Sequence, residues 1–167
     1  MRSEQEVNQA IDQYADTVKR ICMLYLKNAS DTEDIFQEVF LKYALCSAIF
    51  QSPEHEKAWI IRVAINKCKD LRKSFFRSRT VSLEEIPFLS SIQEEDHKEV
   101  LQAVCCLPEK YKGVVYLHYY EGYSAVKISQ LLHKNVNTVY TLLARARKML
   151  QEKLGGDDHE TSYSNRF

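Results

Sequence analysis

Apolar positions recur at helical spacing along nearly the whole chain. No run sustains the two-residue alternation of a half-buried strand, so the pattern predicts an all-α protein. A first helix is expected from about Glu4 to Leu26, with Val7, Ile11, Tyr14, Val18, Ile21 and Tyr25 on one face. Asn28, Ala29 and Ser30 break it, and a second helix starts near Asp31, where Asp31, Glu33 and Asp34 suit the positive end of the helix dipole. Ile35, Val39 and Tyr43 make its inward stripe, which Phe36 and Phe40 widen. Asp34, Gln37, Glu38 and Leu41 stay on the opposite flank. That mixed acidic and apolar surface is either plain solvent-facing helix or a docking face for a basic or amphipathic partner. The stretch Ala48–Lys57 contains Pro53 and reads as a loop. A third helix, from about Glu56 to Phe75, turns Trp59, Ile60, Val63, Ala64 and Leu71 inward and leaves Arg62, Asn66, Lys69, Asp70 and Lys73 outside. Trp59 is expected to be mostly core, and the loop before it is the better candidate for holding a base.

Periodicity fades after Phe76, where Ser, acidic residues and Pro87 dominate. Residues 77–96 are therefore expected to link a first domain, 1–76, to a second, 97–154, with 155–167 a polar disordered tail. Helical pattern resumes near Lys98 with Val100, Leu101, Val104 and Leu107; Pro108 then opens a helix from Glu109 to Tyr120 that Gly122 ends. From Tyr123 to Leu150 the chain reads as two short helices joined by a tight turn. Ser124 caps the first, which carries Ile128, Leu131 and Leu132 inward; His133 and Lys134 make the break; Asn135 caps the second. In the second helix Val136, Val139, Leu143, Ala146 and Leu150 form one buried stripe, while Asn137, Thr138, Thr141, Arg145 and Lys148 project from the other side. A short polar face that turns basic suits base edges at its start and phosphates further along.

Charge sharpens this picture. The net charge is zero, so this is no uniformly basic nucleic-acid coat, but the charge is segregated. Residues 62–79 hold seven Lys or Arg against Asp70 alone, residues 84–99 hold six acids against Lys98, and the last helix turns basic again through Arg145, Arg147, Lys148 and Lys153. The order suggests two positive surfaces separated by an acidic spacer. With four glycines the chain has no phosphate-cradling loop, and its five cysteines (Cys22, Cys46, Cys68, Cys105 and Cys106) form no CxxC pair. Thiols buried in a reducing cytoplasm are expected, with no metal and no cofactor. The first residues lack the apolar core of a signal peptide and no run reaches membrane-span length, so the expected location is cytoplasmic, without membrane insertion. No cluster of His, Cys and carboxylates suggests an enzyme.

Four stretches now stand in order: DTEDIFQEVFLK from Asp31, WIIRVAINKCKDLRK from Trp59, LPEKYKGVVYLHYYEGYS from Leu107, and NTVYTLLARARKML from Asn137. Together they resemble the extracytoplasmic-function sigma factors of bacterial RNA polymerase, in the family's order and spacing over most of residues 10–154. The resemblance implies two helical domains, a core-polymerase-binding one and a helix-turn-helix one. It assigns Asp34, Gln37, Glu38 and Leu41 to the clamp helices of the polymerase largest subunit. The Ala48–Lys57 loop would hold the single-stranded promoter −10 element with one base flipped out, and Asn66, Lys69, Arg72 and Lys73 would contact the strand nearby. The last helix would read the double-stranded −35 element through Asn137, Thr138, Thr141, Arg145 and Lys148. The acidic linker would thread toward the active-site channel of the polymerase, and an anti-sigma factor is a further implied partner.

The chain departs from the family at several positions. The family usually has Arg or Lys at Tyr140, Arg at Leu142, Glu at Lys127, and Gly at His133 and Asn137. Leu142 cannot hold a phosphate, which shifts the expected −35 contacts toward Arg145, Arg147 and Lys148. Lys127 lies at a helix N-terminus, where dipole logic disfavours it. Two other readings use the same residues: a stand-alone helix-turn-helix regulator and a helical protein-interaction adaptor. Tight specific DNA binding without polymerase would mark the first, and absence of salt-dependent promoter binding the second.

Overall fold

The computed structural model describes residues 1–78 and 95–154, in two compact units with the division after Pro87. Every described element is helical, as the spacing predicts. The expected linker 77–96 and tail 155–167 lie almost wholly, or wholly, outside the described residues.

The first unit packs α1 (Glu4–Leu26), α2 (Ala29–Leu45) and α3 (Pro53–Ser78) against one another. Its helix ends are set by short local bonds. Ser3 and Glu6 form a capping box at α1, with the Glu6 amide on Ser3 Oγ and the Ser3 amide on Glu6 Oε2. Asn28 Oδ1 accepts from the Asp31 amide, so α2 begins at Ala29, two residues before the expected start: Ala29 and Ser30 belong to its first turn. Ser52 Oγ accepts from the His55 amide, and Pro53 opens α3 where its missing amide costs nothing. The loop between α2 and α3 is therefore shorter than the expected Ala48–Lys57, running from Cys46 to Ser52.

The core of this unit is Tyr14, Val18, Ile21 and Tyr25 from α1, Ile35, Val39 and Tyr43 from α2, and Ile60, Ile61, Ala64, Ile65 and Cys68 from α3. Ile61 and Ile65 lie outside the single stripe read from the sequence. Because α3 packs on both neighbours, it buries a wider arc than one apolar stripe. Trp59, expected to be mostly core, is half-buried at the edge of the bundle. Cys22 and Cys68 bring their sulfurs to 3.9 Å in the interior, and Cys105 is buried in the second unit, but Cys46 is half-buried and Cys106 exposed.

The second unit consists of α4 (Glu95–Cys105), α5 (Glu109–Val115), a π-helical segment (Tyr116–Tyr120), α6 (Ala125–Leu132) and α7 (Val136–Lys153). The helix expected from Glu109 to Tyr120 does run that far, but its last five residues are π-helical, with the Glu121 amide reaching back to the Tyr116 carbonyl. Tyr116 and Leu117 stay in the core, and Tyr120 stacks on Tyr116 with ring centroids 5.5 Å apart. Gly122 ends the segment at φ 70°, a left-handed conformation that favours glycine.

Candidate nucleic-acid and polymerase interfaces

On α2, Asp34, Gln37, Glu38 and Leu41 are all exposed, and their spacing of three and four places them on one face. Leu41 is 60% exposed, and Leu45, one turn further along, is 61% exposed. Leu45 escaped the sequence reading, although its four-residue step from Leu41 extends the same face. Lys67 on α3 donates to Glu38 Oε2 at 2.7 Å, which orients that carboxylate at the rim of the surface.

The loop Cys46–Ser52 lies beside this face. Ser47, Ala48, Ile49 and Gln51 are exposed, Ile49 by 89%. Phe50 turns the other way, its ring parallel to Tyr43 at 6.2 Å and tilted against Trp59 at 5.7 Å. Arg2 reaches over this aromatic group from the start of the chain. Its guanidinium lies 4.5 Å from the Tyr43 ring centroid and 4.8 Å from that of Phe50, and Nη2 donates to the Ala48 carbonyl at 2.7 Å. Its backbone amide donates to the Ala44 carbonyl at 2.8 Å. Beneath the loop, Glu56 accepts from both Tyr43 (2.5 Å to Oε1) and Tyr14 (3.1 Å to Oε2). Burial, then the bond to this carboxylate, pushes the Tyr43 phenol up to about 12 and raises that of Tyr14 as well.

Along α3, Asn66 and Lys73 are exposed and Lys69 is half-buried, and the three share a face with Arg62 at helical spacing. Arg72 does not join them. Its Nη1 donates to the Tyr25 carbonyl at 2.7 Å, at the C-terminal end of α1, where a cation meets the negative end of the helix dipole.

In the second unit the two-helix motif is built as its caps predict. Ser124 Oγ accepts from the Lys127 amide at 3.2 Å, and Asn135 Oδ1 accepts from the Asn137 amide at 2.8 Å. Between them His133 adopts the left-handed conformation at φ 53°. That conformation is one a glycine would adopt without the cost of a side chain. Lys127, unfavourable for the helix dipole, finds compensation over the Tyr123 ring at 4.5 Å. On α7, Asn137, Thr138, Thr141, Arg145 and Lys148 are all exposed on one side. Thr141 donates its hydroxyl to the Asn137 carbonyl at 2.9 Å, so its oxygen remains an acceptor toward a partner. Arg147 is tied to Tyr119 on the π-helical segment at 3.3 Å. Leu142 is only 8% exposed. It belongs to the core of the unit, so α7 meets a partner without it, through the exposed Arg145, Arg147 and Lys148.

Among the described residues no group of three or more His, Cys, Asp and Glu could hold a metal ion, and no helix is long and apolar enough to cross a membrane. Residues 10–79 match the family model for sigma-70 region 2, and residues 97–150 that for sigma-70, region 4. The RNA polymerase sigma factor SigV of Bacillus subtilis is 30% identical over 141 residues, covering 83% of this chain and 85% of SigV. The ECF RNA polymerase sigma factor SigW of the same organism is 26% identical over 161 residues, covering 86% of each chain. In fold the chain is similar to the sigma factor RpoE co-crystallised with the anti-sigma factor NepR from Bartonella quintana. That likeness has a TM-score of 0.71 at 17% identity and covers 92% of this chain and 99% of the other. CnrH, solved in complex with the cytosolic domain of CnrY, gives a TM-score of 0.65 at 20% identity, over 91% and 89% of the two chains. With both sigma-70 regions on one chain, in order, and a sigma factor matched over most of its length, the chain belongs to the extracytoplasmic-function sigma factors of bacterial RNA polymerase.

Proposed function

We propose that this sigma factor grips its promoter at two places while α2 holds the polymerase. Asp34, Gln37, Glu38 and Leu41, extended by Leu45, form the docking face for core RNA polymerase. The Cys46–Ser52 loop and the Asn66, Lys69 and Lys73 face of α3 hold the single-stranded −10 element, with Arg72 retained as a clamp on α1. The α7 face enters the major groove of the −35 element. Asn137, Thr138 and Thr141 lie near base edges, and Arg145 and Lys148 lie near phosphates. The chain performs recognition and no catalytic step, and it works in the cytoplasm, where the polymerase meets DNA. An anti-sigma factor that covers the exposed Leu41 and Leu45 would keep it from polymerase.

The observation that carries this reading is that each unit presents an exposed polar and basic helix face, on α3 and α7, in the order of the two sigma-70 regions. The test is in vitro transcription by core polymerase plus this chain over a promoter library, with Gln37→Ala/Glu38→Ala as the paired variant. Wild type should select promoters with two conserved elements. The variant should lose about tenfold or more in core affinity, as expected when a few central residues dominate an interface. Unchanged core affinity would remove α2 from the assignment.

A further inference from the structure

The loop assigned to the −10 element has its ends fixed locally and its middle fixed from a distance. At one end the Cys46 amide bonds to the Tyr43 carbonyl; at the other, Ser52 caps α3 and the Gln51 amide reaches His55 Nδ1. The Ala48 amide also meets Cys46 Sγ at 3.3 Å, a weak local contact that leaves the Ala48 carbonyl and Ile49 without an anchor from either end. The Ala48 carbonyl is held by Arg2, whose donation to it spans 46 residues of sequence. Arg2 is itself held at three other places: its backbone amide on Ala44, its guanidinium over the Tyr43 and Phe50 rings, and Nη1 at 3.5 Å from Glu6. Glu6 is in turn the partner of Ser3 in the capping box of α1, so the first turn of that helix is part of the same construction.

We propose that Arg2 is a positioning residue for the −10 loop, presenting Ala48 and Ile49 to the single strand in a preformed shape and so setting base selectivity there. This rests on the −10 assignment of the loop made above. The physical argument is preorganisation. A seven-residue loop left to its end anchors samples many conformations and must lose that freedom on each binding event. A guanidinium seated on two rings and bonded to the middle carbonyl removes the cost beforehand, and it does so without touching the DNA. A selectivity consequence follows, because a fixed loop accepts one base shape, whereas a mobile one adapts to several.

The test uses holoenzyme, the full chain with core polymerase, and a fluorescent single strand carrying the selected non-template −10 sequence, together with its single-base variants. Three variants are compared: Arg2→Met, which keeps the stem and removes the charge; Arg2→Lys, which restores a cation; and Ile49→Asp, which sets a negative charge on the loop itself. Arg2→Met should weaken strand binding by about tenfold, the scale of one cation–π contact with one charge-assisted hydrogen bond, and flatten discrimination among the base variants. Arg2→Lys should recover part of both, core affinity should stay unchanged, and Ile49→Asp should weaken strand binding at least as much as Arg2→Met. Weakened binding by Ile49→Asp with wild-type binding and discrimination by Arg2→Met overturns the role of Arg2 alone. Wild-type binding by Ile49→Asp overturns the −10 assignment of the loop and this inference with it. A parallel loss of core affinity in Arg2→Met also overturns the inference, because Arg2 would then be supporting the whole unit.

Discussion

The two recognition surfaces assigned to this chain are constructed by different means. In the second unit the surface is one side of a helix whose cap and outward face are set by residues near in sequence, while its back packs on α4, α5 and α6. Asn135 caps α7, Val139, Leu143, Ala146 and Leu150 bury its back, and the helical repeat then places Asn137, Thr138, Thr141, Arg145 and Lys148 outward. In the first unit the surface includes a loop without internal repeat, and its shape depends on partners far along the chain: Arg2 for Ala48, and Tyr14 for Glu56 at 42 residues' separation. A helix carries its geometry with it, whereas a loop must be held. Substitutions should therefore act locally in the second unit and propagate through the first.

The largest effect should come from Glu56, which joins α1 to α2 beneath the loop through two tyrosines. Hydrogen bonds to a charged group contribute about 1.5–3 kcal/mol each; with a half-buried carboxylate, Glu56→Ala should cost about 2 kcal/mol in all. The single tryptophan, Trp59, lies in this unit, so its fluorescence in a urea titration follows the first unit selectively. The same network gives a pH signature with a definite sign. Tyr43 is raised from 10 to about 12 and Tyr14 is raised further, so folding favours the protonated phenols. Their contribution is complete below pH 10, shrinks as pH rises from 10, and is lost once pH passes the folded values. Glu56→Gln, which keeps an acceptor but removes the charge, should lessen that alkaline loss without abolishing it, because burial, the larger cause, remains. A Glu56→Ala variant within about 0.5 kcal/mol of wild type, the usual range for plain surface substitutions, would break the comparison.

How much of this was legible in the sequence follows the same division. The bounds of α1, the caps at Ser124 and Asn135 and the polar face of α7 could all be read, because each depends on residues within one or two turns. The start of α3 also carries a local signal, Ser52 followed by Pro53 and two acidic residues, in which the proline marks a first helical turn and not a loop. Arg2, Tyr14 and Glu56 gave no such signal, since nothing in their neighbourhoods indicates which distant group they meet. Arg72 misled for a related reason: a basic residue on a basic helix looked like a strand contact, and only the packing of α3 against the end of α1 commits it to Tyr25. The π-helical segment was hidden because its residues continue the helical apolar pattern while the backbone takes in an extra residue per turn.

Leu142 sharpens the comparison inside the helical surface. Sequence reasoning alone predicts that Leu142→Arg restores a phosphate contact and strengthens −35 binding. Its burial predicts the opposite: the substitution gives up part of a leucine's 1.5–3 kcal/mol, and the arginine stem recovers some of it by reaching outward, for a net cost of about 1 kcal/mol. Calorimetric unfolding of the full chain and anisotropy with a labelled −35 duplex decide between them. Tighter duplex binding at unchanged stability would show that position 142 belongs to the DNA face after all.

The smallest expected effect isolates the local term shared by both units. His133 at the end of α6 and Lys27 at the end of α1 are the two described non-glycine residues with positive φ, at 53° and 58°. A side chain in this left-handed conformation costs about 1–2 kcal/mol, and glycine removes that cost while adding about 0.4–1 kcal/mol of unfolded-state freedom. His133→Gly and Lys27→Gly should therefore each stabilise by about 0.5 kcal/mol, a rise of about 2–4 °C in Tm for units of this size. Equal gains would mean that helix ends obey the same backbone energetics in both units, leaving the held loop as the feature that separates them. If Lys27→Gly instead destabilises while His133→Gly stabilises, then even the helix ends of the first unit depend on side chains that only the folded bundle supplies.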